Sequence, residues 1–395
     1  MNNNFIKSNY SIDELEQFRD EQGFIDLSLA GIKLTESSRE KKGTAARIKN
    51  WVNFNGTKAL IRGNVVENFS VYAELIVEEL ALQAGLQAAH YDIIKIKTAD
   101  NNYEYGVLSE AMLDLDKEEL YSLHDFIGDE PEEDIAKEDV FEMLEYTETT
   151  RYNFTIEKLV LKLQRIGYSE EKIDKIVKDY QKRLVFALKV IDTDKHPENI
   201  SFIKREDGSL EISPVYDNEY SLLLERDSAS LEYFIDSNEL GIECDLASPR
   251  IGVFVSKENG GLGSMWKDTL EILCEDDEIY YFYESLRELD IDYAIENVEK
   301  RINAKIPEMV EYVARRSFKT RGKQMAKVMG DEEIELKGPI NGESGLDFLI
   351  GILNKGMKSG VRMAEQVSIG SQIEEDLNRM KEEVNLENSE PGDDE

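Results

Sequence analysis

The sequence has few cysteines, a deficit of basic residues and no long apolar run. Its only cysteines, Cys244 and Cys274, lie outside any CxxC motif or Cys/His cluster, which argues against a disulfide framework or a thiolate zinc site. No segment approaches the roughly 18 apolar residues that a membrane span requires. The stretch 1–11 lacks the basic and apolar regions of a secretory signal. A cytoplasmic protein is therefore expected.

Basic residues are outnumbered, because 83 Asp and Glu stand against 47 Lys and Arg and give a net charge of −36. Such a surplus repels nucleic-acid phosphates, so no nucleic acid is expected as a partner. The surplus of acidic residues is unevenly distributed along the chain. Residues 114–148 hold 15 acidic side chains against two lysines, and residues 371–395 hold ten against two basic residues. The charge therefore excludes extended polyanions, while a small anion remains compatible with the rest of the chain.

Apolar patterning divides the chain into a strand-rich beginning and a helical remainder. Residues 114–148 are predicted to form a solvated connector with helical stretches. The expected units are 1–113, 114–330 and a Gly-containing segment with an acidic tail, 331–395. Alternating patterns predict strands, and helical spacing predicts helices, in the following segments: strands in Gly23–Leu34, Trp51–Arg62, Tyr91–Lys97 and Tyr103–Met112; helices over Ser70–Gly85, Ser169–Ile191 and within Met265–Lys319.

The stretch 190–220 carries the chemistry. Its Asp207-Gly208 pair is a strong hairpin signal. A turn centred there places Asn199 and Asp217 at the open end of the hairpin, with Cβ atoms about 5 Å apart. An amide and a carboxylate oxygen are ligands that Mg²⁺ prefers, and Asp194 is placed to take a substrate hydroxyl proton, so the layout indicates phosphoryl transfer. Taken singly, each residue is more often a cap or an Asx turn.

The order of these residues resembles a family signature. Asp194-x-His196-x-x-Asn199, followed by Tyr216-Asp217, is similar to the catalytic motifs of HipA-like serine/threonine kinases. The resemblance implies an α+β, two-lobed protein kinase-like fold, with a small β-rich N-lobe and a larger, mainly helical C-lobe. It implies Asp194 as the catalytic base, Mg²⁺ on Asn199 and Asp217, ATP as donor and a protein Ser/Thr as acceptor. We expect His196 to hold the loop, because Mg²⁺ disfavours imidazole.

Upstream motifs extend the resemblance to about residues 37–320. Ala59–Arg62 stands where the family has the strand that ends in a nucleotide-binding lysine, and Glu74 opens the following helix as the carboxylate that would pair with it. Arg62 occupies the lysine position. Arginine keeps the charge and can bind phosphate but has a different geometry, so Arg62 is expected either to bind the nucleotide or to be an exposed strand-end residue. In the second case Lys58, four residues earlier on the same strand face, is its substitute.

The rest of the nucleotide site follows from the same resemblance. The segment 107–112, with Glu110 and Met112, would be the hinge beneath the adenine. Gly43 lies in a basic loop, 37–47, that would cover the phosphates; a solvated loop is an equal alternative. Ser37 and Ser38 would be candidate regulatory phosphorylation sites there. HipA-like toxins often contact an antitoxin through an extra N-terminal subdomain. Few residues precede the loop, so that partner mode is not expected.

Two other functions stay open. The basic cluster 315–327, with no acidic residue between Ala314 and Val328, could recognise an anionic headgroup, which would suit a small-molecule or lipid kinase. The alternative is an ordinary basic helix end. The replacement of lysine by Arg62 would suit a pseudokinase that binds nucleotide or a partner without turnover. The oligomeric state is open.

Overall fold

The computed structural model describes ten segments of the chain. All of them belong to one unit formed by residues 1–130 and 152–334. The described segments are 5–32, 39–42, 45–63, 69–97, 102–127, 156–195, 199–226, 228–237, 240–247 and 266–330.

A seven-stranded sheet dominates the N-terminal part of the described chain. Its strand order is β1-β4-β5-β7-β6-β2, with β3 paired to β4. The four central strands are antiparallel, and β1 and β2 add to β4 and β6 in parallel. The strands are β1 (Ile6–Ser8), β2 (Ile25–Asp26), β3 (Arg39–Lys42), β4 (Ala45–Phe54), β5 (Thr57–Gly63), β6 (Tyr91–Lys97) and β7 (Tyr103–Glu110).

Local sequence explains the centre of this sheet. Asn55 and Gly56 join β4 to β5 with positive φ angles of 49° and 107°, as a two-residue hairpin turn requires. Alternate residues of β5 are buried, so Ala59 and Ile61 enter the core and Arg62 points to the opposite face. Burial of this apolar face is the main force that holds the sheet together.

Helix α1 (Ser70–Gln83) follows the sheet, as predicted. It ends where Gly85 adopts a φ of 72°, and the Leu86 N–H donates to the Ala81 carbonyl. Most of α1 is buried, including Glu74 and Glu78. A helix that buries carboxylates must supply them with partners.

The remaining described elements form a mainly helical part with a second, three-stranded sheet in the order β10-β9-β8. The predicted long helix over 169–191 is confirmed as α4. The elements are β8 (Glu119–Ser122), α2 (Leu123–Ile127), α3 (Ile156–Arg165), α4 (Glu170–Lys189), β9 (Ser201–Lys204), β10 (Leu210–Ile212), α5 (Ser228–Ser237), α6 (Leu240–Leu246), α7 (Trp266–Leu273), α8 (Asp277–Ser285), α9 (Ile291–Ile302) and α10 (Glu308–Val328).

Two sequence predictions are wrong in part. Within residues 23–32, the described part of this segment, only Ile25–Asp26 is a strand, because turns closed by the Leu29 and Gly31 N–H groups follow it directly. Within the predicted connector 114–148, residues 119–122 form the strand β8, which was not predicted, although this strand is largely exposed and helix α2 follows it. The neighbourhood of β8 is acidic, but Arg205, which follows β9, offers Glu118 an ion pair at 2.8 Å. Residues 128–148 lie outside the described residues.

The absences noted in the sequence have structural counterparts. Cys244 and Cys274 are both free and buried. Among the helices of the described segments, none combines the length and apolar character needed to cross a bilayer.

Candidate active site

Arg62 lies at the centre of the candidate site. Its guanidinium donates one hydrogen bond to the Glu74 carboxylate on α1 and another to the Asp217 carboxylate beyond β10. The side chains of Arg62 and Glu74 are 12% and 1% exposed, whereas that of Asp217 is 24% exposed. Burial alone would lower the pKa of Arg62, but the charges of Asp217 and Glu219 outweigh it and raise that pKa. The guanidinium therefore stays charged.

Glu74 is shared between two partners. One oxygen accepts from Arg62, and the other accepts the Asn218 backbone N–H at 2.8 Å. Asp217, the residue before Asn218, has a φ of 60°. A left-handed conformation is uncommon for a residue other than glycine, although aspartate tolerates it better than most. The helix thus holds the chain at the point where the Asp217 carboxylate turns towards Arg62.

The loop that leaves α4 is tied to the same segment by a buried ion pair. Lys195 Nζ lies 2.9 Å from Asp192 Oδ2 and donates to the Tyr216 carbonyl at 3.1 Å. Burial raises the pKa of Asp192, and Lys195 opposes that shift. The other Asp192 oxygen accepts the Asp194 N–H at 3.2 Å. Asp192 and Lys195 therefore fix the backbone of the predicted catalytic loop.

The side chain of Asn199 contacts Asp194. The Asn199 side-chain Nδ2 donates to the Asp194 carbonyl at 3.0 Å and reaches the Asp194 carboxylate at 3.5 Å. Because the NH₂ group faces Asp194, the amide oxygen points away from it and can serve as a ligand. Asn199, Lys195, Tyr216 and Asn218 line one small pocket beside this loop.

The predicted hairpin exists, but its register differs by one residue. Leu210 pairs with Lys204, where a turn centred at Asp207-Gly208 would have paired it with Arg205. Gly208 has a φ of 82° and donates to the Arg205 carbonyl, and the Arg205 N–H donates to Ser209. This is a three-residue turn with a left-handed glycine, which shifts the strands relative to a two-residue turn. Asn199 and Asp217 consequently lie beyond the paired strands and are not direct cross-strand neighbours.

The remaining residues that were predicted to bind the nucleotide differ in their partners and exposure. Lys58 shares the strand face of Arg62, but its ammonium pairs with Asp116 at 2.6 Å, so Arg62 is the cation that meets Glu74. Glu110 ends β7 opposite Ala59 and is exposed, and Met112 is half-buried. Gly43, His196, Ser37 and Ser38 lie outside the described residues, and those predictions stay predictions.

A second pocket adjoins Arg62 and Glu74 and includes Gly106 and Val107, the first residue of the predicted hinge. A Cβ atom at Gly106 would lie 2.2 Å from the Arg62 carbonyl oxygen, so only glycine permits this approach of β5 and β7. Buried Glu219 also lines this pocket. The sequence signatures did not identify Gly106 or Glu219, although Glu219 follows Asp217 by only two residues.

The basic cluster 315–327 is smaller at the surface than the sequence indicated. Arg321 is fully buried, where it donates to the carbonyls of Leu188, Cys244 and Ala247. Arg315 and Lys319 both pair with Asp292. These three of the six basic residues in the cluster therefore have structural partners, whereas Lys323 and Lys327 are exposed.

The family model described as HipA-like C-terminal domain matches residues 32–240, more than half of the 395 residues. The chain belongs to this family. Membership confirms the predicted HipA-like, kinase-like α+β fold class, and residues 32–240 include both the Arg62–Glu74 pair and the Asp194–Asp217 segment.

The chain is also similar to three solved structures, each at low sequence identity and with a TM-score below 0.5. The Helicobacter pylori proinflammatory kinase CtkA is 12% identical with a TM-score of 0.47, and the match covers 71% of this chain and 94% of that one. HipA of Shewanella oneidensis, solved with HipB and operator DNA, is 12% identical with a TM-score of 0.40, and the match covers 77% of this chain and 69% of that one. The golgi casein kinase is 9% identical with a TM-score of 0.31, covering 82% and 75%. No curated protein sequence matches the chain.

Proposed function

We propose that this member of the HipA-like family is an ATP-dependent kinase that transfers the γ-phosphate of ATP to a serine or threonine hydroxyl of a protein. The observation that carries the proposal is the Arg62 bridge, which joins the Glu74 helix to Asp217 next to the Asp194–Asn199 loop. A fixed cation beside an aspartate, an asparagine and a second aspartate is the set of groups that phosphoryl transfer uses.

Asp194 is the proposed general base. Its backbone is held by the Asp192 carboxylate and its carbonyl by the Asn199 amide, so its carboxylate is oriented by two neighbours in the same loop. It accepts the proton of the acceptor hydroxyl as that oxygen attacks phosphorus. His196, two residues later, is proposed to hold the loop rather than to transfer protons.

Asn199 and Asp217 are the proposed Mg²⁺ ligands. They fit the ion because the Asn199 NH₂ group is engaged by Asp194, which directs the amide oxygen outward, and because the Asp217 carboxylate is partly accessible. Bound Mg²⁺ would neutralise charge on the ATP phosphates. Arg62, steadied by Glu74, contacts the phosphate oxygens, the backbone of 107–112 with Glu110 and Met112 meets the adenine, and the loop with Gly43 covers the phosphates.

A nucleotide-binding pseudokinase is the second candidate. The observation that favours it is the ion pair between Arg62 and Asp217, since this guanidinium competes with a metal ion for the same carboxylate. A lipid or small-molecule acceptor has less support. The cluster 315–327 that would recognise an anionic headgroup has Arg321 buried and two of its cations paired with Asp292.

Labelled ATP distinguishes these functions. Incubation of the full chain with γ-labelled ATP, Mg²⁺ and a mixture of cell proteins should place label on protein. Asp194→Ala should reduce incorporation by about 100-fold or more, because general bases contribute at least that much, without loss of nucleotide binding. Asp174→Ala on the exposed face of α4 is the matched control and should retain activity.

Two outcomes would contradict the proposal. Nucleotide binding with neither label transfer nor ATP loss in the wild-type chain would favour the pseudokinase. Label on lipid or small molecules, and none on protein, would overturn the protein acceptor.

A further inference from the structure

The second half of α1 is held by a network that the proposed chemistry does not use. One helical turn after Glu74 lies Glu78, whose side chain is 4% exposed. Its carboxylate accepts from Arg301 Nη1 at 2.8 Å and from the Tyr91 backbone N–H at 3.1 Å, and it lies 2.7 Å from His90 Nδ1. A buried carboxylate with three partners is fixed in position.

Arg301 belongs to α9, so it joins the Glu74 helix to the helical part of the molecule. The same guanidinium lies 3.5 Å from Glu79, and Asn297 donates to Glu79 at 3.1 Å. At the end of α1, Gln83 exchanges two hydrogen bonds with the backbone of Asp290, at 3.0 and 2.8 Å. Helix α1 is therefore anchored along its last two turns.

Tyr91 extends this network to the candidate site. Its backbone N–H donates to Glu78, and its hydroxyl accepts the Asp217 N–H at 3.1 Å. A continuous path of hydrogen bonds therefore runs from Arg301 through Glu78 and Tyr91 to the backbone of Asp217.

We propose that Arg301 is a positioning residue for phosphoryl transfer. It acts through Glu78 in two directions: along α1 to Glu74, and through Tyr91 to Asp217. These are the two carboxylates that Arg62 bridges, so Arg301 fixes both ends of the bridge from a helix that does not itself enter the site. The inference rests on the proposed kinase function.

The test separates positioning from stability. Arg301→Ala should lower kcat for ATP-dependent transfer by about 10- to 100-fold, because small displacements far from the chemistry have effects of that size. KM for ATP should change less than kcat. Arg301→Lys should restore part of kcat, because its ammonium can still reach Glu78. Lys300→Ala, at the neighbouring exposed residue of α9, is the matched control and should leave kcat unchanged.

Two further variants test the path itself. Tyr91→Phe removes only the hydroxyl that accepts from Asp217, and it should lower kcat while the Arg301–Glu78 contact persists. Gln83→Ala removes the two hydrogen bonds between the end of α1 and the backbone of Asp290, which precedes α9. This variant should lower the Tm without lowering kcat. All rates are measured well below the Tm of each variant, which keeps the inference testable if Arg301→Ala is less stable.

The inference and the proposed function fail in different ways. If wild-type protein transfers phosphate and both Arg301→Ala and Tyr91→Phe match Lys300→Ala in kcat, the positioning role is overturned. An equal loss of kcat in Gln83→Ala overturns the path through Glu78 and Tyr91. If wild-type protein neither binds nor consumes ATP, the proposed function fails and the inference falls with it.

Discussion

At the scale of single residues, the candidate site depends strongly on the side chain of Arg62. Two carboxylates converge on its guanidinium, and one of them, Glu74, is almost completely buried. A buried carboxylate that loses its cation bears the full cost of its own desolvation. The same residue therefore affects stability and nucleotide binding, and the two effects need to be measured separately.

Arg62→Met should lower the free energy of unfolding by about 3 kcal/mol, because removal of one partner of a buried pair leaves the other charge unpaired. Arg62→Met combined with Glu74→Gln should recover most of that loss, since the glutamine oxygen can still accept from Asn218. Nucleotide affinity should stay low in both variants. Urea denaturation and nucleotide titration measure the two quantities.

Lys58→Met is the matched control on the same strand face. Its partner Asp116 is 77% exposed, so the loss should stay within about 0.5 kcal/mol. An Arg62→Met chain as stable as Lys58→Met would show that the Arg62 bridge contributes nothing to folding. Restored nucleotide affinity in the double variant would show that Arg62 has no role in binding.

Sequence alone could predict the pairing of Arg62 with Glu74, but it could not predict the roles of Tyr91 and Lys195. Arg62 and Glu74 lie at recognisable positions of a strand and a helix. Tyr91 and Lys195 act through contacts with backbone groups of residues 216 and 217, which leave no pattern of spacing or residue type. Such contacts depend on how distant segments meet.

At the scale of secondary-structure elements, the contact between α4 and α10 includes a buried lysine next to an aromatic ring. Lys189, the last residue of α4, places its ammonium 4.1 Å from the centre of the Phe318 ring on α10. A Cβ at Gly322 would lie 2.5 Å from that ammonium, so a larger residue there would require the end of the Lys189 side chain to shift. Burial, with help from Arg321 and Arg287, lowers the pKa of Lys189 to about 8.

Lys189→Met should therefore stabilise the protein at pH 7 by about 2 kcal/mol. The charged lysine opposes folding, because its pKa is lower in the folded state than the ordinary value of 10.5. Below pH 8 both states carry the proton and the gain is constant. Between about pH 8 and 10.5 the unfolded state binds more protons, so wild-type stability rises and the gain shrinks.

Thermal unfolding of both proteins across this pH range measures the effect. Lys175→Met, at an exposed position of the same helix, should show no such pH dependence. If Lys189→Met lowers the Tm at pH 7, or if its gain does not change above pH 8, the account of this interface is wrong.

Helix α1 and the β9–β10 hairpin were predictable as elements, whereas their exact pairings were not. Apolar spacing and Gly85 determine α1 locally. The Asp207-Gly208 pair indicates a turn but does not choose between a two- and a three-residue loop, which is why the register differs by one. The burial of Arg321 could not be predicted from the sequence either, because it depends on carbonyl groups at the ends of α4 and α6.

At the scale of the whole molecule, the net charge of −36 affects stability independently of any single contact. The surplus is concentrated in sequence, at −13 for residues 114–148 (2 − 15) and −8 for residues 371–395 (2 − 10). Like charges repel one another more in a compact state than in an extended one. Salt weakens this repulsion, since the Debye length falls from about 30 Å at 0.01 M to about 8 Å at 0.15 M.

The Tm should therefore rise by about 2 °C or more between low and physiological ionic strength, because each kcal/mol gained in a protein of this size raises it by a few degrees. Scanning calorimetry in increasing NaCl measures the slope. A variant with Glu132→Gln, Glu133→Gln and Asp134→Asn carries three fewer negative charges and should show a smaller slope. A Tm that falls with salt would mean that attractive ion pairs at the surface, such as Lys204 with Glu119 and Lys300 with Glu296, outweigh the repulsion of the surplus.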